Sequence, residues 1–547
     1  MSTKGLKVVL PSAVTDPTGL RKLEHYYGIE FTRGVSNNGG ANGYHRMIGD
    51  ASLLKEMRFH NQMKIAAVKD AEVNTILNQI NWRKDEAGAA SILNGSDGSD
   101  IIQAHTQGVY AILGGSHPTY ERWIVSDQPF SYDGDEAKYY PPYGETPDYE
   151  TVMNGVARSI RNDNVLGTHG AGNITGCTDP CFGQADAGGF PKTQVSRYGF
   201  EQYARAKNPD TNANLPYMNI CNQDIELTAA FMMIEFRTKL LNNIFGHGIS
   251  SNVGPTAQTW GQVTGFRLTD DNGQTYRYHT FGTQMFLNDS TVGTNMWNIL
   301  NGSCPVLKIF EAQLAVSDGA TLEAVNDSDG NPVQGMAQGV MTGIYTKTFS
   351  FTLQNAAIVA GGEKKTWKVD CVLRVPIWRG RTRLWGNLIQ WYSGYECVKY
   401  LGADGQTHHR LYRSPSIEAL VSDSDEVAKT ALGQFAFEKA YEDCGELPLI
   451  TTGAAGAYGD SMAKNPAGDI STCVMNHQVA GASLYNYEGC AFYRYGDAIE
   501  GKYERRGIRF GGYANGGNAA LRYADAPYAP SFAFASIGSG FRVTLND

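Results

Sequence analysis

Charge is scarce in this sequence. Asp, Glu, Lys and Arg make up 18% of the 547 residues, against roughly 25% in ordinary soluble domains. Helical bundles and disordered chains need more Lys and Glu than this, so strands, turns and large ordered loops are expected. The formal net charge is -9, and no run of Lys or Arg is long enough to track a phosphate backbone. Nucleic acid is therefore not an expected partner. Long apolar runs are missing too. The longest, such as residues 229–234, are core-sized and fall far short of the roughly 20 residues of a membrane helix, so no membrane insertion is expected.

Cysteine is sparse and odd in number, at nine, which excludes a disulfide scaffold. The closest pair, Cys177 and Cys181, is spaced one residue wider than a CxxC half-site, and no second pair follows. A turn with buried thiols is expected there, and no metal. The segment ending at Pro11 lacks a hydrophobic region of secretory length and a small-residue cleavage site. Synthesis and folding in a cytoplasm are the expectation. Catalytic signatures are missing as well: there is no HExxH, GxSxG, P-loop or HxH. His408 and His409 are adjacent, which on a strand sends them to opposite faces. Asp133 and Asp135 fall in polar turns. No catalytic residue and no cofactor are assigned, and the chain is not read as an enzyme.

Glycine (63) and tyrosine (30) are abundant, and 42% hydrophobic residues suffice for real cores. At roughly 150 residues per domain the length predicts three or four domains. Between residues 51 and 83, Val73, Ile76, Leu77 and Ile80 fall at helical spacing and predict an amphipathic helix. A second helix is predicted over residues 222–245, with Ile225, Phe231, Met232 and Leu240 among its apolar positions. Residues 260–355 alternate Thr, Tyr, Phe and Val with Gly-containing turns and read as strands. Asn94-Gly-Ser-Asp-Gly-Ser-Asp100 and Asn326-Asp-Ser-Asp-Gly-Asn331 lack EF-hand spacing and read as polar turns. Tyr139-Tyr-Pro-Pro-Tyr-Gly144 reads as an aromatic connector across a domain seam.

Three pieces near the C-terminus stand out. Arg383-Leu-Trp-Gly-Asn-Leu-Ile-Gln-Trp391 carries Trp385, Gly386, Asn387 and Trp391; the second piece carries Gly511, Gly512, Asn515 and Gly516; the third is Gly540-Phe-Arg542. The tryptophans are large apolar anchors, the paired glycines allow close backbone approach, and Phe541 and Val543 flank Arg542 as on a strand with one buried face. Together the pieces resemble the C-type-lectin-like fold shared by formylglycine-generating-type proteins and the variable proteins of diversity-generating retroelements. The resemblance implies an α+β, β-rich multidomain chain. It would have an N-terminal assembly region (1–150), a mixed middle region (151–360) and a lectin-like ligand-binding domain (361–547). That domain would carry an insertion at about 400–500 and a variable region at 510–543.

Within the variable region a frame alternates with other positions: Tyr513, Ala514, Asn515, Tyr523, Asp525, Pro527, Tyr528, Phe532, Phe534 and Ser536. In the family, adenine-directed randomisation of AAC codons yields Tyr, Phe, Ser, Asp, Ala and similar residues, but never Lys, Glu, Gln, Met or Trp. From Phe510 to the C-terminus the chain contains none of those five. Tyr and Phe with Ser, Asn and Gly are also the mixture that antibody loops use. By the resemblance these positions form an exposed ligand-binding face. The protein would then be a phage receptor-binding tail fibre or tail-tip protein in the virion, often a homotrimer, held among other virion proteins and binding a protein or glycan receptor on the host surface. The competing expectations are a structural virion protein and a formylglycine-generating-type or polysaccharide-degrading enzyme. Against the formylglycine-generating activity, no Cys follows Arg505 to bind copper. Neither sugar-lectin calcium motif, Glu-Pro-Asn or Trp-Asn-Asp, occurs, so calcium-dependent sugar binding is not implied.

Overall fold

The computed structural model describes residues 8–9, 26–32, 45–49, 63–78, 84–90, 100–105, 107–117, 119–145, 174–175, 196–208, 216–239, 241–246, 265–273, 275–281, 284–287, 321–331, 342–356, 365–379, 381–382, 389–422, 432–433, 435–446, 490–493, 503–510, 522–525, 529–532 and 537–546. These residues are β-rich with few helices. The architecture is built around one of those helices.

We call the helix Arg197–Arg205 α1 and the helix Asn222–Phe236 α2. All fifteen residues of α2 are buried. Its run of Leu, Ala, Phe, Met and Ile is apolar on every face, which suits a helix enclosed on all sides. At its start, Cys221 N–H donates to Asp224 Oδ2 at 2.8 Å, supplying a partner in the first turn. At its end, Arg237 turns left-handed at φ 55°. There Ser328 N–H donates to Phe236 O at 3.0 Å and Ser328 Oγ to Arg237 O at 2.9 Å, covering carbonyls that a helix end leaves open.

That Ser328 belongs to the predicted 326–331 turn. Asp327 Oδ1 accepts from the N–H groups of Asp329 and Asn331. The guanidinium of Arg237 lies 3.3 Å from Asp327 and 3.0 Å from Asp329. A side-chain cation thus occupies the acidic side of the turn.

Sheets wrap α2. A five-stranded sheet runs in the order Lys138–Tyr140, Val109–Gly114, Tyr120–Ser126, Tyr26–Thr32, His45–Ile48. A six-stranded sheet runs Tyr217–Asn219, Phe541–Thr544, Tyr143–Glu145, Asp100–His105, Met63–Lys69, Glu72–Ile76. The chain passes from one sheet to the other at Pro141-Pro142, where missing amide hydrogens stop the first ladder. Tyr140 and Tyr143 are buried in the core at this crossing, while Tyr139 is 51% exposed. An eight-stranded sheet is built on the long pair Gly343–Ala356 and Lys365–Trp378. A seven-stranded sheet contains the path Glu442–Glu446, Thr407–Arg413, Ile389–Leu401, Tyr503–Phe510, Arg522–Asp525, Cys490–Tyr493.

One expectation is corrected here. The helix predicted over 51–83 is a β-hairpin, Met63–Lys69 with Glu72–Ile76. Its turn residues Asp70 and Ala71 both have positive φ, and the first strand pairs on its other side with Asp100–His105. The β-branched Ile65, Val68, Val73, Thr75 and Ile76 favour this pleated ladder, and the helical spacing was a coincidence of a strand followed by a turn. Strand pairings also run across residues 150 and 360. The last strand, Phe541–Thr544, pairs with Tyr143–Glu145 on one side and Tyr217–Asn219 on the other. Part of the presumed insertion, Thr407–Arg413 and Glu442–Glu446, simply extends the sheet begun by Ile389–Leu401. The helix predicted over 222–245 is divided: Asn222–Phe236 ends at the left-handed Arg237, and a short helix, Leu241–Phe245, follows. Strands occur within 260–355 as predicted, and Leu240, Ile80, Cys177 and Cys181 lie outside the described residues.

The sheets converge on the carboxylates of α2. Asp224 pairs with Arg542 at 2.9 Å. Glu226 accepts from Arg413 at 2.9 and 2.5 Å and from the hydroxyl of Tyr395. Glu235 binds Arg379 and also accepts from the Trp378 indole at 2.5 Å. Arg381 donates to Thr228 Oγ1 at 2.9 Å. A buried carboxylate is tolerated only when paired and hydrogen-bonded, so each pair requires its strand to reach α2. Replacing Glu235 with Ala, which strands Arg379 in the core, is expected to cost about 3–5 kcal/mol in denaturant unfolding. Glu86→Ala, at the exposed Lys64 pair, should cost under about 1 kcal/mol.

His105 adds a pH dependence. Its ring stacks on Tyr143 at 4.3 Å and lies 6.2 Å from Phe231. Burial, reinforced by the guanidinium charges of Arg381, Arg379 and Arg542, holds its pKa well below the usual 6.5. The folded protein thus binds this proton less readily than the unfolded chain. The stability contributed is present in full above 6.5 and is lost as the pH falls from there towards the folded value. His105→Phe should lessen the loss of stability between about pH 8 and pH 5; unfolding curves with the same pH slope as the wild type would refute the assignment.

Candidate functional site

The candidate face begins where the strand Tyr503–Phe510 ends and finishes at Ile537–Gly538. Of the expected ligand-binding positions, Tyr513, Ala514, Asn515, Pro527, Tyr528, Phe534 and Ser536 lie outside the described residues, as do the supporting Trp385, Gly386, Asn387, Gly511 and Gly512. Tyr523 and Asp525 lie on the strand Arg522–Asp525. It is antiparallel to Tyr503–Phe510, with Asp525 opposite Arg509, and parallel to Cys490–Tyr493. That part of the variable region is therefore an internal strand of a sheet rather than a loop.

What the structure shows best is how this segment is fastened. Residues 529–532 make a turn, with Phe532 N–H donating to Ala529 O at 2.9 Å. The turn docks on the start of α1, where Arg197 N–H donates to Pro530 O at 2.9 Å. The helix is capped at this end by Ser196, whose Oγ accepts from Gly199 N–H at 3.0 Å, as helix starts favour. Ile537–Gly538 then runs parallel to Ile389–Gln390. Next, Ser539 Oγ lies 2.7 Å from Asn219 Oδ1 and 2.9 Å from Trp391 O, and Ile220 N–H donates to Gly540 O at 3.2 Å. Finally, Arg542 reaches Asp224 in the first turn of α2, and its guanidinium carbon lies 5.1 Å from the Tyr143 ring centre.

The partner surface is a bulge in the strand Ile389–Leu401. Its register to Tyr503–Phe510 shifts between Trp391 and Glu396. Gly394 sits there at φ 87°, where a Cβ would collide with the Asn222 side chain. Carbonyls freed by the bulge need donors. Arg197 supplies them, donating to Tyr392 O at 3.2 Å and Tyr395 O at 3.1 Å while also pairing with Glu396. One residue of α1 thus holds the bulge with its side chain and the 529–532 turn with its main chain.

The structure brings four of the expected supporting residues together. Trp391 and Phe541 are buried in one cluster, Phe541 meets Tyr217 edge-on at 5.8 Å, and Gly540 and Arg542 flank it. Two expectations change. Arg542 is not on an open strand face: Phe541, Arg542 and Val543 are all buried, with α2 on the Arg542 side and the cluster containing Phe200 and Ala204 of α1 on the Phe541 and Val543 side. Phe532 is half-buried and packs against the cluster that contains Trp391 and Phe541, so its ring supports the fold. Arg197, Asn219, Asp224 and Ser539 were not singled out in the sequence. Asp224 had a legible signal, a carboxylate inside an apolar helical run. Arg197 had none, since its partners are main-chain carbonyls two hundred residues away.

Among the described residues, no group of His, Cys, Asp and Glu is placed to hold a metal ion, and no helix is long and apolar enough to cross a membrane. Phe532→Ser should lower unfolding stability by about 2–4 kcal/mol, the scale of removing a packed aromatic. A stability within about 0.5 kcal/mol of wild type would return Phe532 to the exposed face. In comparisons with known proteins, no family model, curated protein or solved structure matches the chain.

Proposed function

We propose that the chain is a receptor-binding protein of a phage tail fibre or tail tip, which binds a host surface receptor through a retroelement-diversified C-terminal face of C-type-lectin-like fold. The observation that carries the reading is the restricted alphabet from Phe510 onward, free of Lys, Glu, Gln, Met and Trp. The anchoring adds support. The contacts of Pro530, Gly540 and the Phe532 amide are main-chain contacts, indifferent to neighbouring side chains. Ser539, Phe541 and Arg542 lie outside the variable positions. Large aromatic side chains on such a base gain contact area at small entropic cost. In this reading the face comprises Tyr513, Ala514, Asn515, Tyr523, Asp525, Pro527, Tyr528, Phe534 and Ser536. Phe532 is left out of it. The partners are a protein or glycan receptor, other virion proteins and two further copies of the chain.

The experiment is twofold. Sequencing the flanking DNA should find a near-copy of codons 510–543, differing where the copy has adenine, and a reverse-transcriptase gene. The triple variant Tyr513→Ser, Tyr528→Ser, Phe534→Ser should unfold within about 0.5 kcal/mol of wild type, while adsorption to host cells falls at least about tenfold. A locus with neither element, or a triple variant that unfolds, would overturn the reading.

A further inference from the structure

A side-chain cluster far along the chain from the C-terminal segment has its own chemistry. The strands Ile389–Leu401 and Thr407–Arg413 are joined by a tight turn. In it, Gly402 N–H donates to Gln406 O at 2.8 Å, Gly405 N–H to Gly402 O at 3.1 Å, and Gln406 N–H to Asp404 Oδ1 at 3.0 Å. His408 leans back over this turn. Its Nε2 lies 2.9 Å from Asp404 Oδ1, and its Nδ1 contacts Glu446 Oε1 at the end of the edge strand Glu442–Glu446. The ring stacks on Tyr400 at 5.2 Å, and the Tyr400 hydroxyl donates to Glu446 Oε2 at 2.7 Å. A Cβ at position 402 would collide with His408 Nε2 and Asp404 Oδ1, so the glycine makes room for the ring.

Both ring nitrogens face carboxylate oxygens. A neutral imidazole has one N–H and one lone pair; only the imidazolium donates from both nitrogens. We infer that His408 is a proton-operated latch, which fastens the 401–407 turn to the edge strand when charged and frees the turn when neutral. The order of release follows from the neighbours. Glu446 is held by Tyr400 as well as by His408, whereas Asp404 has His408 and its own turn. In this latch the neutral ring donates through Nδ1 toward Glu446 and turns a lone pair toward Asp404, whose exposed carboxylate takes water instead. The turn loosens while the strand stays, because Arg410 on the same strand as His408 also grips Asp443 of the edge strand, with Nε 3.0 Å from both carboxylate oxygens.

The electrostatics agree. Partial burial pulls the His408 pKa down, but the hydrogen bonds and charges of Glu446 and Asp404 outweigh it and leave the pKa raised. Burial likewise pushes Glu446 up, and the bonds from Tyr400 and His408 bring it below its usual value. The His408 hydrogen bond lowers Asp404. With the imidazole raised in the fold, the latch's contribution is complete below the unfolded pKa of about 6.5 and is lost as the pH rises through the higher folded value. At the acid end it is lost as the two carboxylates protonate.

Hydrogen exchange of the full chain, followed by mass spectrometry from about pH 6 to 9 and corrected for the intrinsic rate, tests this. Protection of the amides in residues 402–406 should fall about tenfold, while residues 442–446 change less. His408→Gln, whose amide donates without titrating, should abolish the step, and so should Asp404→Asn on the exposed turn. A flat wild-type profile, or a step that persists in either variant, would overturn the proposal.

Discussion

The rest of the structure depends on the burial of carboxylates along one helix. Asp224, Glu226 and Glu235 lie on α2, which is enclosed on every side. An unpaired ionised carboxylate in such a place is prohibitively costly. Each one therefore requires a guanidinium: from the last strand (Arg542), from the 407–413 strand (Arg413) and from the end of the long 365–378 strand (Arg379). Three parts of the chain, 144, 187 and 318 residues beyond their partners on α2, are thereby brought to one helix. The pairs contribute less as net stability than as selection, since a hydrophobic replacement of equal volume is often as stable. They decide which strands may lie against α2, because any other arrangement leaves charges alone in the core.

This constraint also explains the C-terminal segment. Arg542 ties its end to the first turn of α2, Ser539 reaches Asn219 just ahead of that helix, and Pro530 rests on the N-terminus of α1. The segment is thus held at its end and at the 529–532 turn. The same logic accounts for Phe532. Alternation with its neighbours made it look like a surface position, but after the turn at 529–532 it packs, partly buried, against the cluster that includes Trp391 and Phe541. Local pattern and three-dimensional direction part company wherever a turn interrupts a strand.

Much of the fold was legible in the residues. An unbroken apolar run over 229–234 implies a buried helix, scarce charge with abundant Gly and Tyr implies strands and turns, and Asp-Ser-Asp-Gly-Asn at 327–331 implies a turn. The error at 51–83 has a definite cause. Val73, Ile76 and Leu77 satisfy a helical spacing, yet the strand Asp100–His105 offers Met63–Lys69 a ladder partner, and tertiary pairing overrides a short local period. The candidate site was legible only in part. Trp391, Gly540, Phe541 and Arg542 could be named because their types are distinctive. Arg197 and Ser539 could not, because what they bind is backbone or a distant side chain.

The sequence by itself determined the class of the chain: β-rich with few helices, one helix with an apolar run over 229–234, and a restricted C-terminal alphabet. These are properties of composition and of near neighbours, and each residue carries them wherever it sits. Only the tertiary structure decided that the first 150 residues and the last ten share a sheet, that Phe532 turns inward, and that both nitrogens of His408 meet carboxylates. Those outcomes depend on which distant groups satisfy a buried charge or an open main-chain hydrogen bond. The reason is physical: desolvation penalises every unmatched polar group in the core, and its partner is chosen by proximity in space rather than along the chain.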